Sequence, residues 1–348
     1  MFSKEAKILI IGGGFAGARV TQDLAKAGFN HVTLVDKKAY FEVTYATLRS
    51  LAQPDLGKRS RLPYEDFING TFHQGDVTTL THNAALLADG SKLEFDMAVI
   101  ASGSSYSTFP IAKSQNAMQL AQRETELTHA RQQLNDAKTI LIVGGGIVGV
   151  ELAGEIADHF PEKTVTLVHG TDRLLPELKP KASQLADKQL SALGVKIRYN
   201  TRLSPNDDLY QHADLVYHCV GVTPNTSMMK AHFNDQLDQN GRIKVDAQFR
   251  VEGTQHLFAL GDCANIPEGK LGYLADKQAS ALAKNMIALA NQKTPKHYKA
   301  NPMVSLVPVG RHQGFVQLPF AVTTLKLMVN MKQKDMFIQK EWKNLNAN

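Results

Sequence analysis

The stretch Lys7-Ile8-Leu9-Ile10-Ile11-Gly12-Gly13-Gly14-Phe15-Ala16-Gly17-Ala18-Arg19-Val20 decides the fold. Four consecutive aliphatic residues predict a strand buried on both faces, as in a parallel sheet covered by helices. The spacing Gly12-x-Gly14-x-x-Gly17 follows without a gap. The first glycine allows a tight turn, the second lets backbone approach a pyrophosphate, and the third lets the next helix pack close to the sheet. A pyrophosphate there meets free N–H groups and the positive end of a helix dipole. Val32-Thr33-Leu34-Val35 predicts a second buried strand, and it ends on Asp36. That acid stands nineteen residues after Gly17, close to the roughly 20-residue spacing at which a carboxylate holds a ribose hydroxyl.

The pattern returns 132 residues later, where Thr139-Ile140-Leu141-Ile142-Val143 leads into Gly144-x-Gly146-x-x-Gly149. A helix over 150–160 and the strand Val165-Thr166-Leu167-Val168 complete the second copy. Two copies in one chain predict two dinucleotide sites. They differ at the strand end: the second copy has His169-Gly170, with Arg173 beyond, where the first has Asp36. An acid there would repel a 2′-phosphate, so His169 leaves NADPH permitted beside NADH. Between the copies, Met97 to Ile100 predicts a buried strand that breaks into Ala101-Ser102-Gly103, and Asp214 to Gly221 mirrors it. A third motif, Leu257-Phe258-Ala259-Leu260-Gly261-Asp262, brings an acid to a strand's carboxyl end, where open α/β sheets bind ligands.

Further helices are predicted over 20–28, 119–134, 174–193 and 271–290. The expected fold is α/β, with two Rossmann-like dinucleotide-binding domains and a small C-terminal α+β region. The first domain is expected to be discontinuous, over 1–118 and 241–300, the second to run over 119–240, and the remainder over 301–348.

Composition removes several function classes. Two cysteines, Cys219 and Cys263, cannot build a disulfide framework and suit a reducing compartment. No apolar run approaches the ~20 residues of a spanning helix. The chain enters its first strand by residue 7, which leaves no room for a signal peptide, and Phe2 forbids an N-myristoyl anchor. The net charge is +6, but no Lys/Arg stripe interleaved with aromatics marks a nucleic-acid surface. In the tail, Val322, Leu325, Met328 and Val329 form an apolar face at helical spacing beside lysines that include Lys326 and Lys332. Such a face suits a membrane interface, or packing on the body or on a second subunit as a homodimer.

Both glycine turns, Ala101-Ser102-Gly103 and Gly261-Asp262 resemble the flavoprotein oxidoreductases with two dinucleotide folds. Within them the chain is most similar to the ferroptosis-suppressor branch related to apoptosis-inducing factor, and next to type II NADH dehydrogenases. Ala46-Thr47-Leu48-Arg49, Pro161 to His169, Tyr273-Leu274-Ala275 and Met303 to Arg311 carry that likeness. It implies that Gly12, Gly14, Gly17 and Asp36 hold FAD, with Val77 at the adenine, Ala101 and Gly103 beside the flavin, and Gly261 and Asp262 at the ribityl or phosphate oxygens. It implies that Gly144, Gly146, Gly149, His169 and Gly221 hold NADH or NADPH. Glu151 matches an acid near nicotinamide and flavin, and Gln278 a glutamine that the dehydrogenases place by a quinone. A second glutamine expected one turn earlier is missing, because Leu274-Ala275 stands there. The dithiol reductases on this plan carry a Cys-x4-Cys pair early in the chain, whereas no cysteine precedes position 219 here. The implied activity is NAD(P)H:quinone reduction. The alternatives are a reductase of an iron–sulfur protein and a redox-sensing interaction flavoprotein.

Overall fold

The computed structural model describes residues 3–347, so the reading of Phe2 lies outside the described residues. Two parallel sheets organise the chain. The first has the spatial order Leu257–Ala259, Met97–Ile100, Ile8–Ile11, Val32–Asp36 and Thr71–Gln74. Ile8–Ile11 lies in the middle and is buried along its whole length, as its aliphatic run requires. The second runs Lys196–Arg198, Thr164–Val168, Thr139–Val143 and Leu215–His218. Each glycine turn therefore opens from the carboxyl end of an inner strand.

The chain passes from the first sheet to the second through Ser104–Tyr106 and returns through Val222–Pro224. These two segments pair antiparallel, Ser104 opposite Pro224, and so form a two-stranded joint. The helix Leu120–Asp136 follows the first crossing, with Gln119 and Gln122 closing a capping box at its start. Its Arg123 is fully buried and reaches Glu42 at 3.2 Å and Glu126 at 2.6 Å.

Three expected helices shift. The first runs over Phe15–Lys26 rather than 20–28, because the turn glycine Gly17 is already inside it. The second glycine helix likewise starts early, at Ile147, and ends at His159. The helix expected over 174–193 is Pro180–Ala192. Leu175 adopts φ 52° and Pro180 can only begin a helix, so Leu174 and Leu175 enter the core from a loop instead.

The C-terminal region corrects the tail reading. Val322 belongs to a strand, Val322–Thr323, the third member of an antiparallel sheet with Ser305–Val309 and Gln313–Gln317. Helix begins only at Lys326 and runs to Gln333, and a second one spans Ile338–Asn344. The four residues expected on one face therefore separate: Val322 and Val329 are buried, whereas Leu325 is 62% exposed. The tail packs on the body. Met336, Ile338 and Leu345 join the core of the first sheet, while Val307, Phe315 and Val322 join that of the second. Trp342 packs edge-on against Phe41 at 5.6 Å and donates to the Arg59 carbonyl at 3.0 Å. Among the described residues, no helix is long and apolar enough to cross a membrane.

Candidate active site

At the first turn, the Gly13 N–H donates to Asp36 Oδ2 at 2.6 Å, and the Lys38 N–H donates to Oδ1 at 2.8 Å. Asp36 is thus fixed by two backbone donors, and each oxygen keeps a lone pair for a ribose hydroxyl. A Cβ on Gly17 would lie 1.8 Å from the Gly12 carbonyl oxygen, which shows how tightly the helix approaches the turn. A Cβ on Gly14 would meet nothing within 4 Å. No side chain caps the helix there. That open space at a bare helix N-terminus is where an anionic group fits.

The turn opens into a cavity of about 920 Å³. Gly12, Gly14, Asp36, Val77, Ala101 and Gly103 all line it, as do Gly261 and Asp262. Asp262 Oδ2 accepts from Ser104 Oγ at 2.6 Å and from Lys113 Nζ at 3.0 Å. Burial pushes this carboxyl up, but the Lys113 ammonium and the Ser104 hydroxyl outweigh it and hold it below the usual carboxylate value. The cavity lining is mostly apolar, with the polar glycine turn, Asp36 and Asp262 set into it, which is the chemistry a flavin dinucleotide requires.

Gln278 does not line the cavity. It is 2% exposed, accepts from the Gly261 N–H at 2.8 Å and donates to Glu268 at 2.7 Å. The structure therefore places it behind the Gly261–Asp262 turn, which it holds in shape. Its i+4 spacing to Leu282, which is also buried, puts it on the inner face of the helix Gly272–Ala290.

Glu151 does reach the cavity wall, from the first turns of the second glycine helix. It pairs with Lys332 Nζ at 2.8 Å, and both residues are buried. Burial raises the Glu151 carboxyl above its usual value, and the Lys332 ammonium only partly offsets this. Lys332 also donates to the Leu306 carbonyl at 3.2 Å. The sequence reading missed this residue by grouping it with the interfacial lysines of the tail. A signal was present: Lys332 shares the spacing of Val329 and Met336, both buried. Beside this pair, Arg49 pairs with Glu155 at 2.7 Å and donates to the Gln333 carbonyl at 2.9 Å, tying the tail helix to the second glycine helix.

The second turn repeats the first with one substitution of chemistry. The Gly145 N–H donates to His169 Nδ1 at 3.0 Å, as Gly13 does to Asp36. A Cβ on Gly149 would lie 1.9 Å from the Gly144 oxygen, the counterpart of Gly17. Gly146 has nothing nearer to a Cβ than Glu177 at 4.0 Å, and its helix is likewise uncapped by any side chain. Gly144, Gly146, Gly149, His169 and Gly221 lie outside the cavity. Ile147, Val148 and Glu151, on the helix that this turn begins, reach its wall.

Neither cysteine is poised for redox work. Both are free and buried, burial pushes the Cys219 thiol up to about 12, and Cys263 donates to the Leu260 carbonyl at 3.3 Å.

Comparison with known proteins identifies the family. Human ferroptosis suppressor protein 1 is 30% identical over 360 residues, covering 97% of this chain and 95% of its own. Apoptosis-inducing factor homolog B of Dictyostelium discoideum is 30% identical over 384 residues, covering 99% and 98%. The sulfide:quinone oxidoreductase of Aquifex aeolicus shares the fold, with a TM-score of 0.78 at 16% identity over 99% of this chain and 92% of its own. Residues 6–290 match pyridine nucleotide-disulphide oxidoreductase, a span that holds both glycine turns and Asp262. The chain belongs to that family, as an NAD(P)H oxidoreductase that uses FAD and a nicotinamide nucleotide.

Proposed function

We propose that this protein is an NAD(P)H:quinone oxidoreductase. Its similarity to ferroptosis suppressor protein 1, and its likeness in fold to an enzyme named for quinone, point the same way. The observation that carries the reading is the cavity's apolar lining. Besides the polar loops, Leu306, Val316, Leu318, Met328 and Met331 line it. Met331 of that lining is 60% exposed, and Phe320 and Leu327, close in the chain to Leu318 and Met328, are 83% and 81% exposed. A flat apolar head group with a hydrophobic tail fits such a lining.

Bound FAD supplies hydride acceptance from the nicotinamide and two-electron delivery to the acceptor. The chain's own residues do the rest. Asp36 and the first turn would hold the adenosine end of the cofactor, and Asp262 with Lys113 would hold its polar linker. Reducing a quinone to a quinol consumes two electrons and two protons. The hydride brings one of these protons with its electron pair, and the buried Glu151–Lys332 pair on the cavity lining would relay the other from solvent.

In steady-state assays with soluble ubiquinone analogues, the protein should oxidise NADH or NADPH, and Glu151→Gln should lower kcat by about a hundredfold while retaining flavin. Turnover that saturates with a ferredoxin and ignores quinones would refute the reading.

The exposed apolar set also supports contact with a lipid surface. Lys326 and Lys334 stand exposed beside it, and lysines near anionic lipid add about 1 kcal/mol each. Full-length protein should sediment with anionic vesicles at low salt, and the Phe320→Ser, Leu327→Ser double variant should lose this. Retained binding in that variant would place the contact elsewhere.

A further inference from the structure

We propose that Tyr45 is a positioning residue for protonation of the electron acceptor: the face of its ring holds the Lys332 ammonium beside Glu151 on the cavity lining. This rests on the reading of the Glu151–Lys332 pair as the proton relay in quinone reduction, and it concerns a residue outside both glycine turns.

Lys332 is 7% exposed, and a buried ammonium needs partners for its three N–H groups. Nζ donates to Glu151 Oε1 at 2.8 Å and to the Leu306 carbonyl at 3.2 Å, which engages two of them. The next contact is the Tyr45 ring, whose centroid lies 5.9 Å from Nζ. An ammonium within about 6 Å of an aromatic centroid is drawn to the negative face of the ring, and the attraction strengthens where water is excluded. Tyr45, Glu151, Leu306 and Lys332 all line the cavity, so these contacts together fix where the ammonium stands on its wall.

The ring is itself held in place. Phe15, which opens the first glycine helix, stacks on it at 4.7 Å, and Phe337 of the tail meets it edge-on at 6.3 Å. Gly272 leaves room for it, because a Cβ there would lie 2.5 Å from the Tyr45 hydroxyl oxygen. Four residues after Tyr45, Arg49 pairs at 2.7 Å with Glu155, itself four residues after Glu151. The segment 45–49 is thereby pinned to the helix that carries Glu151. The hydroxyl takes no part. It is buried and makes no hydrogen bond among the described residues. Burial, reinforced by Glu341 and Asp276, pushes its pKa well above the ordinary value, so at neutral pH it keeps its proton and passes none on. What Tyr45 offers Lys332 is the ring.

The test is stopped-flow on the flavin-loaded full chain, which separates reduction of the flavin by NADH or NADPH from its reoxidation by a soluble ubiquinone analogue. Tyr45→Phe keeps the ring, and its flavin should be reoxidised within about twofold of the wild-type rate. Pentafluorophenylalanine at position 45 keeps the shape of that ring but removes its negative face. It should slow reoxidation by about fivefold relative to Tyr45→Phe, with flavin content and Tm kept. In a Lys332→Gln background the same exchange should cost nothing further, because the ammonium it acts on is gone. Reoxidation of the pentafluorophenylalanine protein at the Tyr45→Phe rate, or a loss that persists undiminished without Lys332, would overturn the positioning role. Wild-type flavin that is reduced but not reoxidised by quinone would instead overturn the proposed function.

Discussion

The two glycine turns share a backbone and differ in what their strand-end acceptor has left to offer. In both, a turn amide donates to the residue that ends the second strand, Asp36 at 2.6 Å and His169 at 3.0 Å. In both, the third glycine packs so closely that a methyl group would overlap a carbonyl oxygen. The fold is thus reproduced to the level of single hydrogen bonds, and the two strand ends differ in the atoms they leave unused. They differ also in cover. The first turn opens into a cavity bounded by the tail through Phe337, Lys340 and Glu341, and the second lies outside it.

The largest test is to spoil each turn in the same way. Gly17→Ala and Gly149→Ala each put a Cβ under 2 Å from backbone oxygen, and overpacking of a rigid site costs about 1–3 kcal/mol or more. With the first turn as the proposed flavin site in the main core, Gly17→Ala should give colourless protein with a Tm lower by several degrees. Gly149→Ala should stay yellow and lose NAD(P)H turnover by about a hundredfold, following about 3 kcal/mol. Equal loss of flavin absorbance in both variants would break the division of labour between the turns.

The tail's cover over the first turn adds a pH-dependent element of its own. Glu341 is 3% exposed, and burial, reinforced by Asp276, raises its carboxyl to about 7. Asp276 is itself paired with Arg19 at 3.1 Å, and Lys340 and Arg19 offset the rise only in part. The folded pKa lies above the unfolded one. The folded state therefore keeps a proton that the unfolded chain has released, and stability falls as pH rises from about 4.5 to about 7. A shift from 4.5 to about 7 corresponds to about 3 kcal/mol at most. Glu341→Gln should therefore raise Tm at pH 8 and leave it unchanged at pH 4.5, as followed by thermal melts. An equal change at both pH values would show that the carboxyl titrates normally.

Both turns were legible because local patterns determine them: four aliphatic residues, three glycines and a strand end at fixed spacing. The tail was not. Its apolar residues satisfy a helical period, yet Val322 completes a sheet whose partners, Ser305–Val309 and Gln313–Gln317, form only in three dimensions. The left-handed Met336 and Phe337, at φ 53° and 62°, then break the helix where no glycine announces it. Buried charge was equally hidden. Lys332 and Glu151 lie 181 residues apart, and Arg123 sits in a helix whose sequence is predominantly polar. Gln278 was legible as a residue of interest, but its role behind Gly261 depends on Glu268, which no motif marks.

The finest test returns to the strand ends. Asp36 uses both oxygens on backbone donors, Gly13 N–H and Lys38 N–H, and the sequence spacing aims what remains at a ribose. His169 serves one such donor only, Gly145 N–H. Asn at position 36 can accept one of the two N–H bonds with its carbonyl oxygen, but its NH2 group cannot accept the other. Hydrogen bonds to a charged group contribute about 1.5–3 kcal/mol, and half of that set survives in Asn. Asp36→Asn should therefore weaken flavin binding by about tenfold, equivalent to about 1.4 kcal/mol, measured by fluorescence recovery during FAD titration of stripped protein. Asp36→His would install the second turn's residue in the first. It should keep the Gly13 contact, lose the acceptor for the ribose, and bind FAD more weakly than Asn does. If Asp36→His binds FAD as tightly as wild type, the difference between the two strand ends does not govern ligand choice, and the contrast between the turns loses its meaning.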